Sequence, residues 1–175
     1  MIKRLVLFSL CAAGFLCLQV GLVGQTAADP LAADLMKDWS DQKSRMMALA
    51  EAMPAEKYEF KATPPQRTFG EQLHHLAEAH VRMFKALDPQ STVPAPNLSA
   101  DHGKAAVMKS LGEAYDYGAA VLKAQQGSLA QSGGRNSKAR TVWAAMGNAM
   151  NHYGQCVVYL RLNNIVPPAS RPSSP

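Results

Sequence analysis

Two short stretches of this chain carry histidines in a setting that favours metal chemistry. The first is Asn151-His152-Tyr153-Gly154-Gln155, near the end of a long segment with apolar side chains at three- and four-residue spacings. The second is Gln72-Leu73-His74-His75-Leu76, inside an earlier segment of the same kind. Neutral imidazole is a common ligand of zinc and other transition metals. The pattern predicts a site at which side chains from two helices converge.

Four segments have the apolar periodicity of amphipathic helices, and no segment shows the sustained alternation of a strand. We predict helices over residues 31–53, 68–87, 100–126 and 137–163. Thr68 and Glu71 have the spacing of a capping box at the start of the second helix. Proline is expected to end three of the helices, at Pro54, Pro89 and Pro167. With polar or proline-rich connections, these segments predict an all-α fold, an antiparallel four-helix bundle.

The N-terminus has the pattern of a secretory signal peptide. A basic start, Met1-Ile2-Lys3-Arg4, precedes an apolar run from Leu5 to Val23, and the small residues Thr26-Ala27-Ala28 offer a cleavage site. The run is close to the roughly 20 residues that span a bilayer, so an uncleaved membrane anchor is the alternative. We predict that residues 1–28 are removed. The mature protein is then expected in the periplasm or secreted, with no membrane attachment.

Cleavage would leave one domain, residues 29–170, and a disordered Ser/Pro tail, residues 171–175. The whole chain has 18 Lys and Arg against 13 Asp and Glu. Without Lys3 and Arg4, 16 basic residues remain and the net charge is about +3. This charge is too small and too dispersed for nucleic-acid binding. Cys156 is the one cysteine of the mature chain, so an intramolecular disulfide is excluded.

The positions of two histidines on their helices favour a site on the flank of the bundle. At about 100° per residue, His152 lies roughly 90° from the centre of its apolar stripe, on the same flank as Asn148 one turn earlier. His75 lies about 130° from the centre of the stripe of its own helix. Flank side chains of neighbouring helices can meet around an ion and leave one side open to water.

An ordinary structural role is the competing interpretation for each histidine. A histidine on a helix flank is more often a half-exposed side chain than a ligand. His80 lies in the middle of an apolar face and is predicted to be a hydrogen-bonded core residue. His74 is predicted to point toward Glu78 and solvent, and His102 to lie at the surface. Cys156 falls inside an apolar stripe, which favours a buried, inert thiol.

The order and spacing of several motifs resemble the DinB-like family of four-helix-bundle proteins, many of which hold a divalent metal with three histidines. The matching motifs cover nearly the whole mature chain: Met53-Pro54-Ala55-Glu56-Lys57-Tyr58, Thr68-Phe69-Gly70-Glu71, His75-Leu76-Ala77 and His152-Tyr153-Gly154-Gln155. The resemblance implies that His75 and His152 are metal ligands. It places the third ligand four residues before His152, where this chain has Asn148.

Asn148 makes the implied site incomplete. An amide oxygen is a much poorer ligand for zinc or nickel than an imidazole nitrogen. The resemblance therefore implies a divalent metal, Zn²⁺ or Ni²⁺, that is bound weakly or has been lost. Other side chains could complete the site: Glu71, Glu78 and Asn151.

Two functions from different classes remain open. Some DinB-like proteins resemble metal-dependent thiol transferases or isomerases, so the resemblance implies a metal-binding protein with transferase-like or hydrolase-like activity. Export argues against thiol chemistry, because such cofactors are largely intracellular, and the incomplete triad lacks the three-nitrogen platform for Lewis-acid activation. The alternative is a non-catalytic bundle that binds a small molecule in its cavity, or forms a homodimer through an apolar helix face, without a metal.

Overall fold

The computed structural model describes residues 29–131 and 137–172. These residues form four long helices, two 3-10 helices (Ala55–Lys57 and Pro168–Ser170) and no strand; Lys61 and Thr68 form one isolated bridge. The long helices are α1 (Pro30–Ala52), α2 (Phe69–Leu87), α3 (Lys104–Gln125) and α4 (Lys138–Leu162). The predicted all-α four-helix bundle is confirmed.

The helices do not simply alternate in direction. α2 and α4 are antiparallel, because Gln72 contacts Gln155 while His75 faces His152. α1 and α3 are antiparallel too, since the end of α1 contacts the start of α3 through a 2.8 Å ion pair between Glu51 and Lys104.

α2 and α3, by contrast, run parallel, which corrects the expectation of antiparallel neighbours throughout. Gly70, at the start of α2, lies against the backbone of His102, just before α3, and Asp88, just after α2, accepts a hydrogen bond from Gln125 at the end of α3. The 16 residues that connect α2 to α3 cross the length of the bundle. α2 is about 28 Å long, and an extended chain of that many residues easily spans it.

Local signals fix the ends of the helices as predicted. The Thr68 hydroxyl accepts a 3.1 Å hydrogen bond from the Glu71 amide, and the Glu71 carboxylate accepts a 2.7 Å bond from the Thr68 amide. This capping box starts α2. α4 ends at Leu162, before Pro167, because Asn164 adopts a left-handed backbone with φ of 59°. Asparagine tolerates that conformation better than most residues.

Trp39 organises the core between α1, α2 and α3. Its ring lies 4.8 Å from the rings of Phe84 and Tyr115, and its indole nitrogen donates a 2.9 Å hydrogen bond to the Tyr115 carbonyl. α3 approaches this ring at Gly118, where a Cβ would lie 2.6 Å from Trp39 and 2.8 Å from Phe84. A glycine is therefore required at this position for the helices to pack this closely.

The predicted signal peptide, residues 1–28, lies outside the described residues, as do residues 173–175 of the predicted tail. In the described part of the chain, each helix is too short or too polar to cross a membrane. The limits of the mature domain stay predictions.

Candidate metal-binding site between α2 and α4

His75 and His152 face each other across the α2–α4 seam. Their ring centroids are 5.4 Å apart, with the ring planes inclined by 54°. His152 is buried, with 5% of its surface exposed, whereas His75 is half-buried. One imidazole is therefore fixed in the protein interior, and the other is open to solvent.

Asn148 adds a third polar group on the same flank of α4, one turn before His152. Its Oδ1 is buried and has no hydrogen-bond partner, and the Nδ1 of His152 likewise has none. Buried polar atoms are nearly always paired with protein groups, water or ions. Two unpaired atoms one turn apart on one helix indicate a place that a bound ion or water can complete.

The surroundings keep both imidazoles neutral. Burial, with smaller contributions from His75 and Arg67, lowers the pKa of His152 to about 4. Burial also lowers the pKa of His75, with Arg67 and Arg82 adding to the effect and Glu78 opposing it. The neutral form is the one that donates a lone pair to a metal. At neutral pH, therefore, no proton has to leave before an ion can bind.

A pair of amides joins the two helices beside the histidines. The Gln72 side chain donates a 2.6 Å hydrogen bond to Oε1 of Gln155, whose own Nε2 donates to Asn151 at 3.2 Å. Gln72 is buried, although a glutamine in an amphipathic helix is usually exposed. The helical pattern of the sequence does not predict this contact. The available signal was the three-residue spacing of Gln72 before His75 and of Gln155 after His152.

Two of the three additional ligands proposed from the sequence, Glu71 and Asn151, form hydrogen bonds to other groups. Glu71 caps α2 through Thr68, and this hydrogen bond holds the pKa of its carboxyl below the usual range. Asn151 accepts from Gln155, and Glu78 lies 3.9 Å from the ring of His74. Among the described residues, no three His, Cys, Asp or Glu side chains are grouped to hold a metal. The donor set of the seam is therefore two imidazoles and one amide oxygen.

His80 is buried in the core as predicted, but it is not hydrogen-bonded. Its ring packs 4.8 Å from those of Trp39 and Tyr115, and neither ring nitrogen has a partner. Burial lowers the pKa of His80 to about 3, and His152 contributes to the lowering. The backbone carbonyl of Ala145 partly opposes this lowering of the His80 pKa, but it forms no hydrogen bond with the ring.

His74 has a different environment from the one predicted. It lies near Glu78 as expected, but it is buried rather than solvent-exposed. Its Nε2 lies 2.7 Å from the carbonyl oxygen of Ser99, and the ring of His102 is 4.8 Å away. The connection between α2 and α3 crosses over this position, and periodicity within α2 could not show that cover.

Cys156 follows His152 by one turn and takes no part in the seam. Its thiol is fully buried, as predicted, and burial raises its pKa to about 12. Since the thiolate is the reactive form, this environment disfavours nucleophilic chemistry at Cys156.

The side of α4 that faces away from His152 forms one wall of an open groove, and α1 forms the other wall. The groove has a volume of about 490 Å³. Its α1 side carries polar residues (Asp38, Asp41, Gln42 and Arg45), and its α4 side carries apolar and aromatic ones (Trp143, Met146, Met150 and Tyr153). A cavity of this size and mixed lining is typical of sites for small molecules.

Comparison with known protein families identifies a family that this chain matches. The sequence profile of the DinB superfamily matches residues 38–156, from the third turn of α1 to Cys156 in α4. A search of curated proteins found no match. The matched range includes His75, Asn148 and His152.

Proposed function

This chain belongs to the DinB superfamily, and we propose that it binds a divalent metal ion, Zn²⁺ or Ni²⁺, at His75 and His152, with Asn148 as a weak third ligand. One observation carries the proposal. Two neutral imidazoles face each other across the α2–α4 seam at 5.4 Å, on the same flank as the unpaired oxygen of Asn148.

The donor set fits such an ion only in part. Two imidazoles and an amide oxygen provide less affinity than three nitrogens, and they leave at least one coordination position for water or substrate. An ion held there would keep an open position and would polarise a small substrate as a Lewis acid, more weakly than an ion on three nitrogens, and this is the basis for proposing a transferase-like or hydrolase-like activity. The protein contributes the spacing of the two rings, which the Gln72–Gln155 hydrogen bond helps to hold.

We propose further that the protein acts outside the cytoplasm. The support is the N-terminal sequence, in which a basic start, an apolar run and small residues come before residue 29 in the order of a signal peptide.

Calorimetric titration of tag-free protein with Zn²⁺ and Ni²⁺ tests the metal proposal. The wild type should bind one ion per chain, and His75→Ala or His152→Ala should abolish binding. His102→Ala is the matched control, because His102 contacts His74 instead of the histidine pair. No binding by the wild type, or equal loss in the control, would refute the proposal.

A second candidate function is small-molecule binding without a metal. The groove of about 490 Å³ between α1 and α4 favours it, as does the absence of a complete three-residue ligand group among the described residues. Thermal-shift screening of chelator-treated protein against small amphiphilic compounds tests this function. A compound whose stabilising effect is lost in Tyr153→Ala would place the ligand in the groove.

A further inference from the structure

The outer face of α4 carries an unusual row of exposed residues. Trp143, Gly147, Met150 and Gly154 follow each other at spacings of four, three and four, so they lie in one line along the helix. Trp143 is 70% exposed and Met150 is 67% exposed, the two largest values among the exposed large apolar side chains of the described residues. We call this row the outer face of α4.

Nothing within a single chain requires glycine at the two glycine positions of the outer face. A Cβ at Gly147 or Gly154 would meet nothing within 4 Å, and neither residue has a positive φ. Glycine in the interior of a helix is unfavourable relative to alanine. Gly118 in α3 is a useful contrast, because there the Trp39 ring occupies the space that a side chain would need.

The outer face of α4 is complementary in shape to a second copy of itself that runs in the opposite direction. Its order is large, small, large, small, so a second α4 laid antiparallel places Trp143 over Gly154 and Met150 over Gly147. Each large side chain then meets a glycine, which lets the two helices approach closely. A surface that matches its own reverse is what a two-fold symmetric dimer requires.

We infer that a second copy of this chain packs antiparallel on the outer face of α4, with Trp143 of each copy seated on Gly154 of the other. The face from Trp143 to Gly154 is about 17 Å long. A single pair of helices of this length buries less than the roughly 800 Å² per partner of a standard interface. Interfaces of this size belong to the weak, transient class, so we expect a reversible dimer that forms in the micromolar range of protein concentration.

The dimer is independent of the proposed metal site. His152 and Trp143 are nine residues apart on α4, which puts them on opposite sides of the helix at about 100° per residue. The dimer leaves the α2–α4 seam open, and it covers the edge of the α1–α4 groove that Trp143 and Met150 form.

Sedimentation equilibrium over a micromolar concentration series tests the inference. The wild type should shift from monomer to dimer mass, and Trp143→Ala and Gly154→Trp should each raise Kd at least tenfold. Val166→Ala is the matched control, because Val166 is 56% exposed but lies outside α4. A wild type that stays monomeric, or a dimer unaffected by both variants, would overturn the proposal.

A double variant tests the register of the pairing. Trp143→Gly combined with Gly154→Trp exchanges the large and small positions, so it should restore the dimer affinity that Gly154→Trp alone weakens. Failure to restore it, in protein with wild-type circular dichroism, would overturn the antiparallel arrangement.

Tryptophan fluorescence supplies an independent readout. The chain has two tryptophans, and Trp39 is already buried. A blue shift that grows with protein concentration would therefore report burial of Trp143 by a second copy. A blue shift that occurs only with lipid vesicles, in a protein that stays monomeric, would identify a membrane surface as the partner and overturn the dimer.

Discussion

Gln72 and Gln155 are joined by a 2.6 Å hydrogen bond that crosses from α2 to α4. Gln72 precedes His75 by three residues, and Gln155 follows His152 by three, so the amide pair lies one turn away from the imidazole pair. This contact restricts the separation of the two helices next to the candidate site. It links the stability of the bundle to the distance between the histidines.

Replacing Gln72 with methionine should therefore affect both stability and metal binding. Gln72→Met keeps the length of the side chain but removes the donor, and a hydrogen bond of this kind contributes about 0.5–1.5 kcal/mol. We expect a decrease of that size in the free energy of unfolding by urea titration, together with weaker Zn²⁺ binding. Unchanged Zn²⁺ affinity in a destabilised variant would show that the amide pair does not position the histidines.

Restoring a histidine at position 148 should strengthen the site. Asn148→His places a third imidazole one turn from His152, and residues four apart project to the same side of a helix. We expect the affinity for Zn²⁺ or Ni²⁺ to rise at least about tenfold, or roughly 1.4 kcal/mol. Calorimetric titration of both proteins measures it.

A second variant in the same background serves as the control. Adding His152→Ala to Asn148→His should remove the gain, because the new imidazole then lacks its neighbour. Equal affinity in wild type and Asn148→His would mean that this flank of α4 is not a metal site.

His80 should make the protein sensitive to acid. Its pKa is about 3 in the folded state and about 6.5 in the unfolded chain, so between these values only the unfolded state takes up the proton. The free energy of unfolding should then decrease as pH falls below about 6.5, by up to roughly 1.4 kcal/mol per pH unit. His152, with its pKa of about 4, should add to the decrease over a narrower range.

His80→Leu separates the contribution of His80. The variant removes the titrating group and two unpaired ring nitrogens, so its stability should depend less steeply on pH between about 6.5 and 4. Urea titrations at a series of pH values measure the slope. Identical slopes in wild type and variant would contradict the burial of a neutral His80.

Two glycines of α3 should respond in opposite directions to alanine. At Gly118 the new Cβ would collide with Trp39 and Phe84, and overpacking of this kind costs about 1–3 kcal/mol. At Gly112 the nearest atom is the Met47 methyl at 3.9 Å, so alanine should stabilise the helix by up to about 1 kcal/mol. Thermal denaturation of the two variants checks the pair, and a destabilised Gly112→Ala would show that the packing there is tighter than described.

The N-terminal segment should be absent from the exported protein. The small residues at Thr26-Ala27-Ala28 predict a mature chain that starts close to Asp29. Intact-mass spectrometry of protein from the periplasm or medium should show the loss of the first 26 to 30 residues. Retention of the full N-terminus in a membrane fraction would support the anchor alternative.

The helices could be predicted from the sequence because their signals are local. Apolar periodicity and the Thr68–Glu71 capping box act within a few residues, and the observed helix ends lie within four residues of the prediction. The direction of α3 could not be predicted, because the long connection before it is compatible with either direction. Only contacts such as that between Gly70 and His102 determine it.

The candidate site could be predicted from the sequence only in part, for a similar reason. The family resemblance and the flank positions indicated His75, Asn148 and His152, and the structure brings the two histidines together. The contact between Gln72 and Gln155 joins residues 83 apart, and the cover over His74 comes from a carbonyl 25 residues away. Periodicity within one helix contains no information about such distant partners.

Because Cys156 is buried, its reaction with a thiol reagent can be used to measure how often the bundle opens locally. Its side chain is completely inaccessible, and the high pKa keeps the thiol protonated at neutral pH. A thiol-specific reagent can therefore label Cys156 only when α4 separates from the rest of the bundle. The labelling rate without denaturant would then report how often the native protein opens, and whether a bound metal ion or a second copy of the chain makes opening rarer.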